Sequence, residues 1–410
     1  MKISKILAPF LALFSLAARA AGSNEITLYD FLSFNDGSYP LNYGHLVRDA
    51  AGNFYGTTQF GGVCSEGTVF RLSPNGEGGW SDTVLHAFCG AADGTVPTGA
   101  VVMDSVGNVF GTTTGAGSGT CGTVFAVNAT SFRTLHSFTC GADGGMPVAG
   151  LMLSKTGSLF GTTSGGGTNG GGVVFEISGT RKFTVLYNFC GLPGCADGLA
   201  PMGGVVEDSR GNLYGTSFSG GDLNCRYGSG GCGVVFELSK STSGWSERVL
   251  HTFSDATNDG ANPAYASLTL ATVKVNGLPV QVIFGVTSAG GENGPGTAFQ
   301  LAQHGTRWLF KVLHSCDCCF ADGAMPAGTL LLTKGALIGT TPIGGTGDSG
   351  TVYTLFPSGG SWTEVILYSF ANGIDGGHPY SGVIADAEGN LYGTASSDGG
   401  EFGDVYEITP

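Results

Sequence analysis

A five-residue word, Asp-Gly-x-x-Pro, recurs seven times along this chain and constrains its fold more than any other feature. Each copy is followed by a short apolar run and by words similar to Gly-Thr-Thr, Gly-x-Val-Phe and Val-Leu-His-x-Phe. The copies begin at Asp36, Asp93, Asp143, Asp197, Asp259, Asp322 and Asp375. A period of about 50 to 65 residues built only from short strand-like words is typical of a propeller or a solenoid array.

The second copy illustrates how one repeat becomes a blade. Its apolar run, residues 99–104, reads as a strand buried on both faces, and residues 108–113 read as a second strand rich in β-branched and aromatic residues. Residues 122–127 and 134–138 supply a third and a fourth strand. Seven such units predict an all-β, seven-bladed β-propeller of four-stranded blades.

The two ends of the chain complete one blade between them. Residues 26–31 form a fourth-strand word, whereas residues 403–408 form a third-strand word. We therefore expect the N-terminal strand to pair with residues 405–408, which closes the ring and removes two exposed strand edges. An open solenoid would need polar capping repeats, and neither end resembles one.

The first twenty residues have the pattern of a signal peptide. Lys2 and Lys5 precede an apolar run at residues 6–18, and residues 18–20 read Ala-Arg-Ala. This run is short for a membrane span, so a signal peptide at residues 1–20 is favoured over an N-terminal anchor. Residues 21–410 are expected to form a single exported domain that does not insert in the membrane.

Cysteine content and charge limit the compartment and the partners. Eleven cysteines fit an oxidising compartment, either extracellular or periplasmic, and their odd number leaves at least one thiol free or paired between chains. The 31 acidic residues outnumber the 17 basic ones, which argues against nucleic acid as a partner. We expect a monomer.

These words resemble the GloVer tandem-repeat family, the "choice-of-anchor" repeat proteins of bacterial surfaces. The resemblance covers roughly residues 28–410 and rests on the repeated Asp-Gly-x-x-Pro word, on Gly-Asn-Leu-Tyr-Gly-Thr at 211–216 and 389–394, and on Gly-Val-Val-Phe-Glu-Leu at 233–238. It implies a surface repeat scaffold and no particular activity. Members often carry a C-terminal anchor, and none is expected here because the sequence stops at Pro410 directly after the last strand word.

Residues that look chemical fall largely at repeated positions. One fourth-strand position holds His86, His136, His251, His314, Tyr29, Tyr187 and Tyr368. A position that accepts His or Tyr on seven outer strands predicts packing and hydrogen bonding rather than one convergent site. The repeated aspartates are expected to accept backbone N–H bonds in a tight crossover, since one carboxylate per blade is poor for Ca²⁺. We predict no catalytic residue, no metal and no cofactor.

Blade four departs from the repeat in the loop between its second and third strands. This loop, residues 221–232, is seven residues longer than its counterparts. It has Asp222, Arg226 and Tyr227 where other blades have Gly and Ser. In an antiparallel blade this loop lies on the same face as the Asp-Gly-x-x-Pro crossovers. These three residues are the candidate ligand-binding residues, with a tolerated insertion as the alternative.

Disulfides follow from the neighbouring ends of antiparallel strands. Cys64–Cys89 in blade one and Cys121–Cys140 in blade two each join the start of a third strand to the end of a fourth. In blade four, Cys225–Cys232 can staple the loop to itself, with Cys190–Cys195 as a separate bond. Alternatively Cys225 or Cys232 pairs with Cys190 or Cys195, and the pairing of Cys316, Cys318 and Cys319 stays open.

The sequence favours a secreted module that binds or scaffolds at the cell exterior, with an extracellular glycan or protein as its partner. The alternative is an exported carbohydrate-active hydrolase or lyase that uses acids and the Arg226 loop around the central channel. A regular repeat without clustered acids favours binding.

Overall fold

The computed structural model describes residues 23–409, apart from residues 33, 42, 91, 120, 229, 243, 264, 276, 318–321 and 398–401. The signal peptide expected at residues 1–20 and the open pairing of Cys318 and Cys319 lie outside this part of the chain. Seven four-stranded antiparallel sheets form a seven-bladed β-propeller, as the repeats predict.

The first three blades are continuous in sequence after the N-terminal strand β1 (Asn24–Asp30). Blade 1 contains β2 (Val47–Arg48), β3 (Phe54–Thr58), β4 (Thr68–Pro74) and β5 (Trp80–Ala87); blade 2 contains β6 (Val102–Met103), β7 (Val109–Thr113), β8 (Thr123–Asn128) and β9 (Ser131–Ser137); blade 3 contains β10 (Met152–Leu153), β11 (Leu159–Thr163), β12 (Val173–Ile177) and β13 (Phe183–Asn188).

Blades 4 to 7 follow the same order, with one extra strand pair in blade 5, β18 with β21, and a 3-10 turn at Pro193–Cys195 before blade 4. Blade 4 contains β14 (Val206–Glu207), β15 (Leu213–Ser217), β16 (Val234–Ser241) and β17 (Gly244–Thr252); blade 5 contains β18 (Gly260–Ala261), β19 (Thr269–Val275), β20 (Leu278–Thr287), β21 (Ala289–Gly290), β22 (Thr297–His304) and β23 (Arg307–Ser315); blade 6 contains β24 (Leu331–Thr333), β25 (Ala336–Thr341), β26 (Thr351–Ser358) and β27 (Ser361–Ser369); blade 7 contains β28 (Ile384–Ala385), β29 (Leu391–Ala395) and β30 (Asp404–Thr409), and is completed by β1.

The Gly-Thr-Thr word of the second strand supplies three different contacts. In blade 2, a Cβ on Gly111 would lie 2.5 Å from Cζ of Phe125, so only glycine leaves room for that ring. The Thr112 hydroxyl donates to the carbonyl oxygen of Ala149 in the next blade (3.0 Å). The Thr113 hydroxyl hydrogen-bonds the hydroxyl of Thr123 on the third strand (2.9 Å). The word therefore holds the blade to itself and to its neighbour.

The inner strands are shorter than the apolar runs suggest. Residues 99–104 predict a six-residue strand, but β6 contains only two residues. A Cβ on Gly99 would lie 2.6 Å from the backbone of Ala149, and one on Gly150 would lie 2.7 Å from the carbonyl oxygen of Ala100. The first residues of each apolar run thus pack against the neighbouring blade near the axis. The hydrogen-bonded pairing between the first and second strands of the blade begins only after these residues.

The apolar core lies between the blades and is divided into seven clusters. A buried aromatic ring lies on each third strand, and at six of the seven junctions it meets a second ring that follows the fourth strand of the preceding blade. Phe88 and Phe125 pack edge to face at 5.2 Å, and both are fully buried. Each blade is therefore stabilised mainly by its neighbours, so an open edge would leave one cluster incomplete.

The ring closes through the N-terminal strand, which confirms the prediction from the chain ends. β1 pairs antiparallel with β30, with Glu25 opposite Ile408 and Tyr29 opposite Val405. Directly after β1, Phe31 is fully buried and packs against Phe70 of blade 1 at 5.2 Å between ring centroids. Closure therefore joins blade 7 to blade 1 through backbone and core contacts.

Four disulfides are formed by the pairs Cys64–Cys89, Cys121–Cys140, Cys190–Cys195 and Cys225–Cys232. The loop of blade four is thus closed on itself, and the bonds to Cys190 or Cys195 considered as an alternative do not form. Such a set of bonds is typical of proteins in oxidising compartments. Within the described residues, no helix has the length and apolar character needed to cross a membrane.

Candidate binding face

The crossovers and the loops between second and third strands lie on one side of the ring, called here the crossover face. It consists of the seven Asp-Gly-x-x-Pro segments and these loops. Each crossover pairs with the loop of the blade it enters, as Thr95 does with Gly115 and Gly145 with Gly165. The remaining turns and hairpins lie on the opposite face, because the strands of a blade alternate in direction.

On the outer strands, each repeated aspartate is bound to the His or Tyr of the preceding fourth strand, and we call these contacts the outer-strand pairs. They are His86–Asp93, His136–Asp143, His251–Asp259, His314–Asp322, Tyr29–Asp36, Tyr187–Asp197 and Tyr368–Asp375. In blade 2, Nε2 of His136 lies 3.1 Å from Oδ2 of Asp143, which also accepts the backbone N–H of Thr139. The seven aspartates thus brace the crossovers.

Each outer-strand pair also meets a side chain from the fourth strand of the next blade. Three histidines stack on phenylalanine rings, with centroid distances of 3.6 to 3.8 Å: His86 on Phe132, His136 on Phe183 and His251 on Phe310. Burial at these contacts lowers the pKa of His86 and of His136. Stacking therefore keeps the imidazole in a desolvated, packed position.

The three tyrosine pairs meet a carboxylic acid instead of a ring. Asp82 acts on Tyr29, Glu247 on Tyr187 and Glu25 on Tyr368. Burial raises the pKa of Asp82, of Glu247 and of Glu25 to about 7 in each case. These acids lie in three separate blade junctions, so they form no common site.

The residue before each crossover proline is held in a left-handed backbone conformation. Its φ lies between 52° and 58° at Tyr39, Val96, Met146, Ala200, Asn262, Met325 and His378. A left-handed φ is costly for residues other than glycine and persists only where the surroundings hold it. Here the N–H donates to a carbonyl oxygen of the preceding blade, as from Met146 to Cys121 (2.8 Å). The result is a ring of seven side chains of six different types, held in one backbone conformation.

Aromatic rings cluster on the crossover face where blades 7 and 1 meet. We call Phe34, Tyr39, Phe60 and Phe402 the seam cluster. Phe34 and Phe402 pack edge to face at 5.3 Å, and Tyr39 and Phe60 do so at 5.8 Å. Phe34 is 59% exposed, Phe60 39% and Tyr39 38%. Exposed apolar patches of this kind on soluble proteins mark interaction sites.

One member of the seam cluster, Phe60, departs from the repeat and could have been identified from the sequence. Phe60 occupies the loop position that is Gly115 in blade 2, Gly165 in blade 3 and Ser219 in blade 4. A large aromatic residue in place of Gly or Ser is a departure from the repeat as clear as the blade-four insertion. Phe34 and Phe402, however, come from opposite ends of the sequence, and their contact depends on closure of the ring.

Three tyrosines meet at the axis of the ring, and we call them the tyrosine stack. Tyr43 of blade 1 stacks on Tyr265 of blade 5, with ring centroids 4.2 Å apart, and Tyr380 of blade 7 contacts Tyr43 edge to face at 6.1 Å. Burial raises the pKa of Tyr43 and of Tyr380. The three residues lie between the crossover prolines and the inner strands, so they fill the axis on the crossover face.

The blade-four loop presents Arg226 over Tyr227. The guanidinium lies 5.0 Å from the centroid of the Tyr227 ring, and Nη2 of Arg226 donates to the Tyr227 hydroxyl (3.1 Å). Nε of Arg226 is also 3.8 Å from Oδ2 of Asp255. Arg226 is exposed, but Tyr227 is half-buried against the core of blades 4 and 5. The Arg226 head is therefore the accessible part of this pair.

Asp222 and Leu223 hold the base of this loop. The Asp222 carboxylate accepts the backbone N–H of Asn224 (2.9 Å), which is a turn contact within the loop. Leu223 rests on the crossover, since a Cβ on Gly194 would lie 3.2 Å from its Cδ1. The structure thus places Arg226 and Tyr227 together and gives Asp222 a local, conformational contact.

Charge is distributed unevenly between the two faces. Among the described residues of the crossover face, Arg226 is the sole Lys or Arg, while Glu292, Asp317 and Asp348 are exposed acids there. Arg181, Lys182 and Arg210, by contrast, lie in hairpins and turns of the opposite face. Acidic loops of this kind disfavour anionic partners.

A family model described as a Gloeobacter/Verrucomicrobia repeat matches residues 12–227 and 224–410. The chain belongs to this family. The Gloeobacter/Verrucomicrobia repeat thus corresponds to the propeller blades, in agreement with the resemblance seen in the sequence. No curated protein matches the chain significantly.

Solved structures share the architecture of this Gloeobacter/Verrucomicrobia repeat protein. One is the extracellular domain described as that of a one component system from B. thetaiotaomicron, with a TM-score of 0.51 and 10% identity over 94% of this chain and 39% of that chain. Another is an ulvan lyase of a polysaccharide lyase family, with a TM-score of 0.50 and 10% identity over 94% of this chain and 95% of that chain. At such identities the likeness concerns the fold alone.

Proposed function

We propose that this protein is an exported binding module whose crossover face holds an uncharged polysaccharide chain. The observation that carries the proposal is the exposed seam cluster. Aromatic rings have an electron-rich face and a large apolar area, which suits them to pack against the C–H face of a sugar ring. The acidic character of the surrounding loops favours a neutral over an anionic polysaccharide.

The positions of three features around the ring support an elongated ligand. Blade 4 lies opposite the seam between blades 7 and 1 in a seven-membered ring, and the tyrosine stack lies between them at the axis. The seam cluster, the tyrosine stack and Arg226 thus follow one diameter of the crossover face. A chain of sugars laid along it would meet aromatic rings at one end and an arginine at the other, and both residue types are enriched in binding hot spots.

Rigid anchoring supports binding at the Arg226 end. The Cys225–Cys232 bond and the Asp222 turn hold the loop before a ligand arrives. A loop that is already ordered loses less entropy on binding, so its contacts contribute more to affinity. In this proposal Arg226 and Tyr227 contact the ligand and Asp222 maintains the loop.

A hydrolase or lyase would need acidic or basic groups that converge near the axis. The described side chains that meet there are Tyr43, Tyr265 and Tyr380, and the half-buried acids Asp82 and Glu247 lie on outer strands of different blades. This distribution favours binding over catalysis.

The test is affinity electrophoresis of the full chain in gels that contain neutral β-glucans, xylans or mannans, with alginate as an anionic comparison. We expect retardation by at least one neutral polysaccharide and none by alginate. The double substitution Tyr39→Ala with Phe60→Ala should weaken binding by at least 10-fold.

The matched control is Val106→Ala, which removes an 81% exposed apolar side chain from the opposite face. We expect this variant to bind as the wild type does. Absence of retardation by every neutral polysaccharide, or equal binding by the double variant, would contradict the proposal.

A further inference from the structure

The junction between blades 5 and 6 breaks the rule that the other six junctions obey. At three of those junctions a His–Asp pair lies against a phenylalanine ring of the next blade. At the other three, a Tyr–Asp pair lies near a carboxylic acid of the next blade. At this junction His314 of β23 is paired with Asp322 and also meets an acid, Glu364 of β27. A histidine and two carboxylates therefore converge at this junction.

The three side chains lie at distances that suit a common metal ion. Nε2 of His314 is 3.1 Å from Oδ1 of Asp322 and 3.6 Å from Oε1 of Glu364, and the three ligand atoms all lie within 4.8 Å of one another. Four donors placed about 2.1 Å from a tetrahedral zinc ion are about 3.4 Å apart. The spacing between Glu364 and His314 is too long for a hydrogen bond but fits two ligands of one ion.

The same junction also carries a second departure from the repeat. Cys316 occupies the position that is Phe88 in blade 1 and Phe253 in blade 4, both of them fully buried rings. Its thiol is free, only 3% of the residue is exposed, and the charges of Asp322 and Glu364 both act on it. The exchange of a ring for a thiol thus places a soft donor atom close to the two carboxylates.

We propose that His314, Asp322 and Glu364 bind a Zn²⁺ ion that joins blades 5 and 6. The donor set selects zinc, because imidazole nitrogen with carboxylate oxygen is a usual zinc set, whereas Ca²⁺ takes six to eight oxygen ligands. The backbone N–H of Asp317 donates to Oδ2 of Asp322 (2.7 Å) and orients this carboxylate, as outer contacts do at metal sites.

The ligand side chains are mostly buried, with 19%, 15% and 13% of their surfaces exposed for His314, Asp322 and Glu364. They come from the last strand of blade 5, the following crossover and the last strand of blade 6. Bound zinc would therefore replace, at this one junction, the ring stacking that joins other blades. This inference is independent of the proposed polysaccharide ligand.

The experiment titrates ZnCl₂ into chelator-treated, untagged protein by isothermal titration calorimetry. The parent protein and all its variants carry Cys318→Ser and Cys319→Ser, so that these two cysteines cannot supply ligands. We expect one zinc ion per chain and a melting temperature that rises with zinc.

Two substitutions convert the junction into kinds that the molecule already contains. Glu364→Phe produces the histidine–phenylalanine junction and His314→Tyr the tyrosine–acid junction, so both variants should fold. Each should weaken zinc binding by more than about 100-fold, since loss of even an outer contact costs roughly 10- to 100-fold.

The matched control is Glu247→Gln, which removes a buried acid from the same strand position in a tyrosine junction. It should bind zinc as the parent protein does. Failure of the parent protein to bind one equivalent, or undiminished binding in Glu364→Phe and His314→Tyr, would overturn the proposal.

Discussion

At the outer rim, all seven blades repeat the same pairing of a His or Tyr with the repeated Asp, whereas on the crossover face the side chain before the proline varies from blade to blade. His136 with Asp143 and His86 with Asp93 are almost superimposable in their contacts and distances. On the crossover face, the ring position before proline holds Tyr39 in one blade, Ala200 in another and His378 in a third, with the same backbone conformation.

The repeated contacts at the rim therefore maintain the fold, whereas the variable side chains of the crossover face are available to bind a ligand. A contact that must be made seven times to close a ring is restricted to the few side chains that make it. A side chain that points out of a backbone already held by its neighbours is free to vary, and ligands are bound by such positions. The blade 5–6 junction is informative because variation there occurs at the rim.

Removal of the closing strand is expected to have the largest effect on the molecule. Deleting residues 26–31 removes most of β1 and the buried Phe31, and it exposes the edges of β30 and of the blade 1 core. We expect a molten or aggregated chain, measured by light scattering and near-ultraviolet circular dichroism. A chain that begins at Ser23 is the control. Unchanged melting of the deleted protein would show that the strand is not needed for closure.

Loss of one repeated aspartate should cost less but still weaken the fold. Asp143→Ala removes the acceptor for the exposed Thr139 N–H and the hydrogen-bond partner of the half-buried His136. We expect a loss of about 1–3 kcal/mol in the free energy of unfolding by denaturant titration. Asp222→Ala, which removes a turn contact on the crossover face, should cost under about 1 kcal/mol. Equal losses for the two variants would remove the distinction between rim and face.

The buried acids of the tyrosine junctions should make stability depend on pH. Burial raises the pKa of Glu247 from 4.5 to about 7, so the folded state holds a proton that the unfolded state has released between these values. The wild type is therefore destabilised as the pH rises. Relative to Glu247→Gln, it should lose on the order of 1 kcal/mol in the free energy of unfolding between pH 4.5 and about 7, a value reduced by the partial solvent exposure of this side chain, and little more above pH 7.

The measurement is a series of thermal or denaturant melts of both proteins between pH 4 and pH 8. Gln resembles the protonated acid in shape, so the two proteins should coincide near pH 4. A gap that is the same at every pH would show that Glu247 titrates normally.

The smallest effect on stability is expected from the exposed arginine of the blade-four loop. Arg226→Ala breaks an exposed ion pair with Asp255, and such pairs contribute about 0–1 kcal/mol. Its melting temperature should match that of Arg210→Ala, which breaks the pair with Asp208 on the opposite face and has the same 61% side-chain exposure. Only Arg226→Ala should weaken polysaccharide binding in the electrophoresis assay. Equal binding by both variants would remove Arg226 from the site.

The repeated words by themselves determined the number of blades, the order of strands and the closure by residues 26–31. They could do so because each repeated motif corresponds to one strand, and its residues make the same contacts in each blade. Examples are Gly111, which leaves room for the Phe125 ring, and Thr113, which is hydrogen-bonded to Thr123. The pairs Cys64–Cys89 and Cys121–Cys140 followed for the same reason, since neighbouring ends of antiparallel strands are adjacent in any blade.

Only the tertiary structure decided which residues meet across blades. Tyr43 and Tyr265 lie more than 200 residues apart in sequence and stack at the axis, and Phe34 meets Phe402 because the ring closes. In the same way, His314 and Glu364 look like ordinary members of two repeats, and their convergence depends on how adjacent blades are set side by side. Contacts within a blade are encoded by local pattern, whereas contacts between blades depend on the rotation from one blade to the next, which no single repeat specifies.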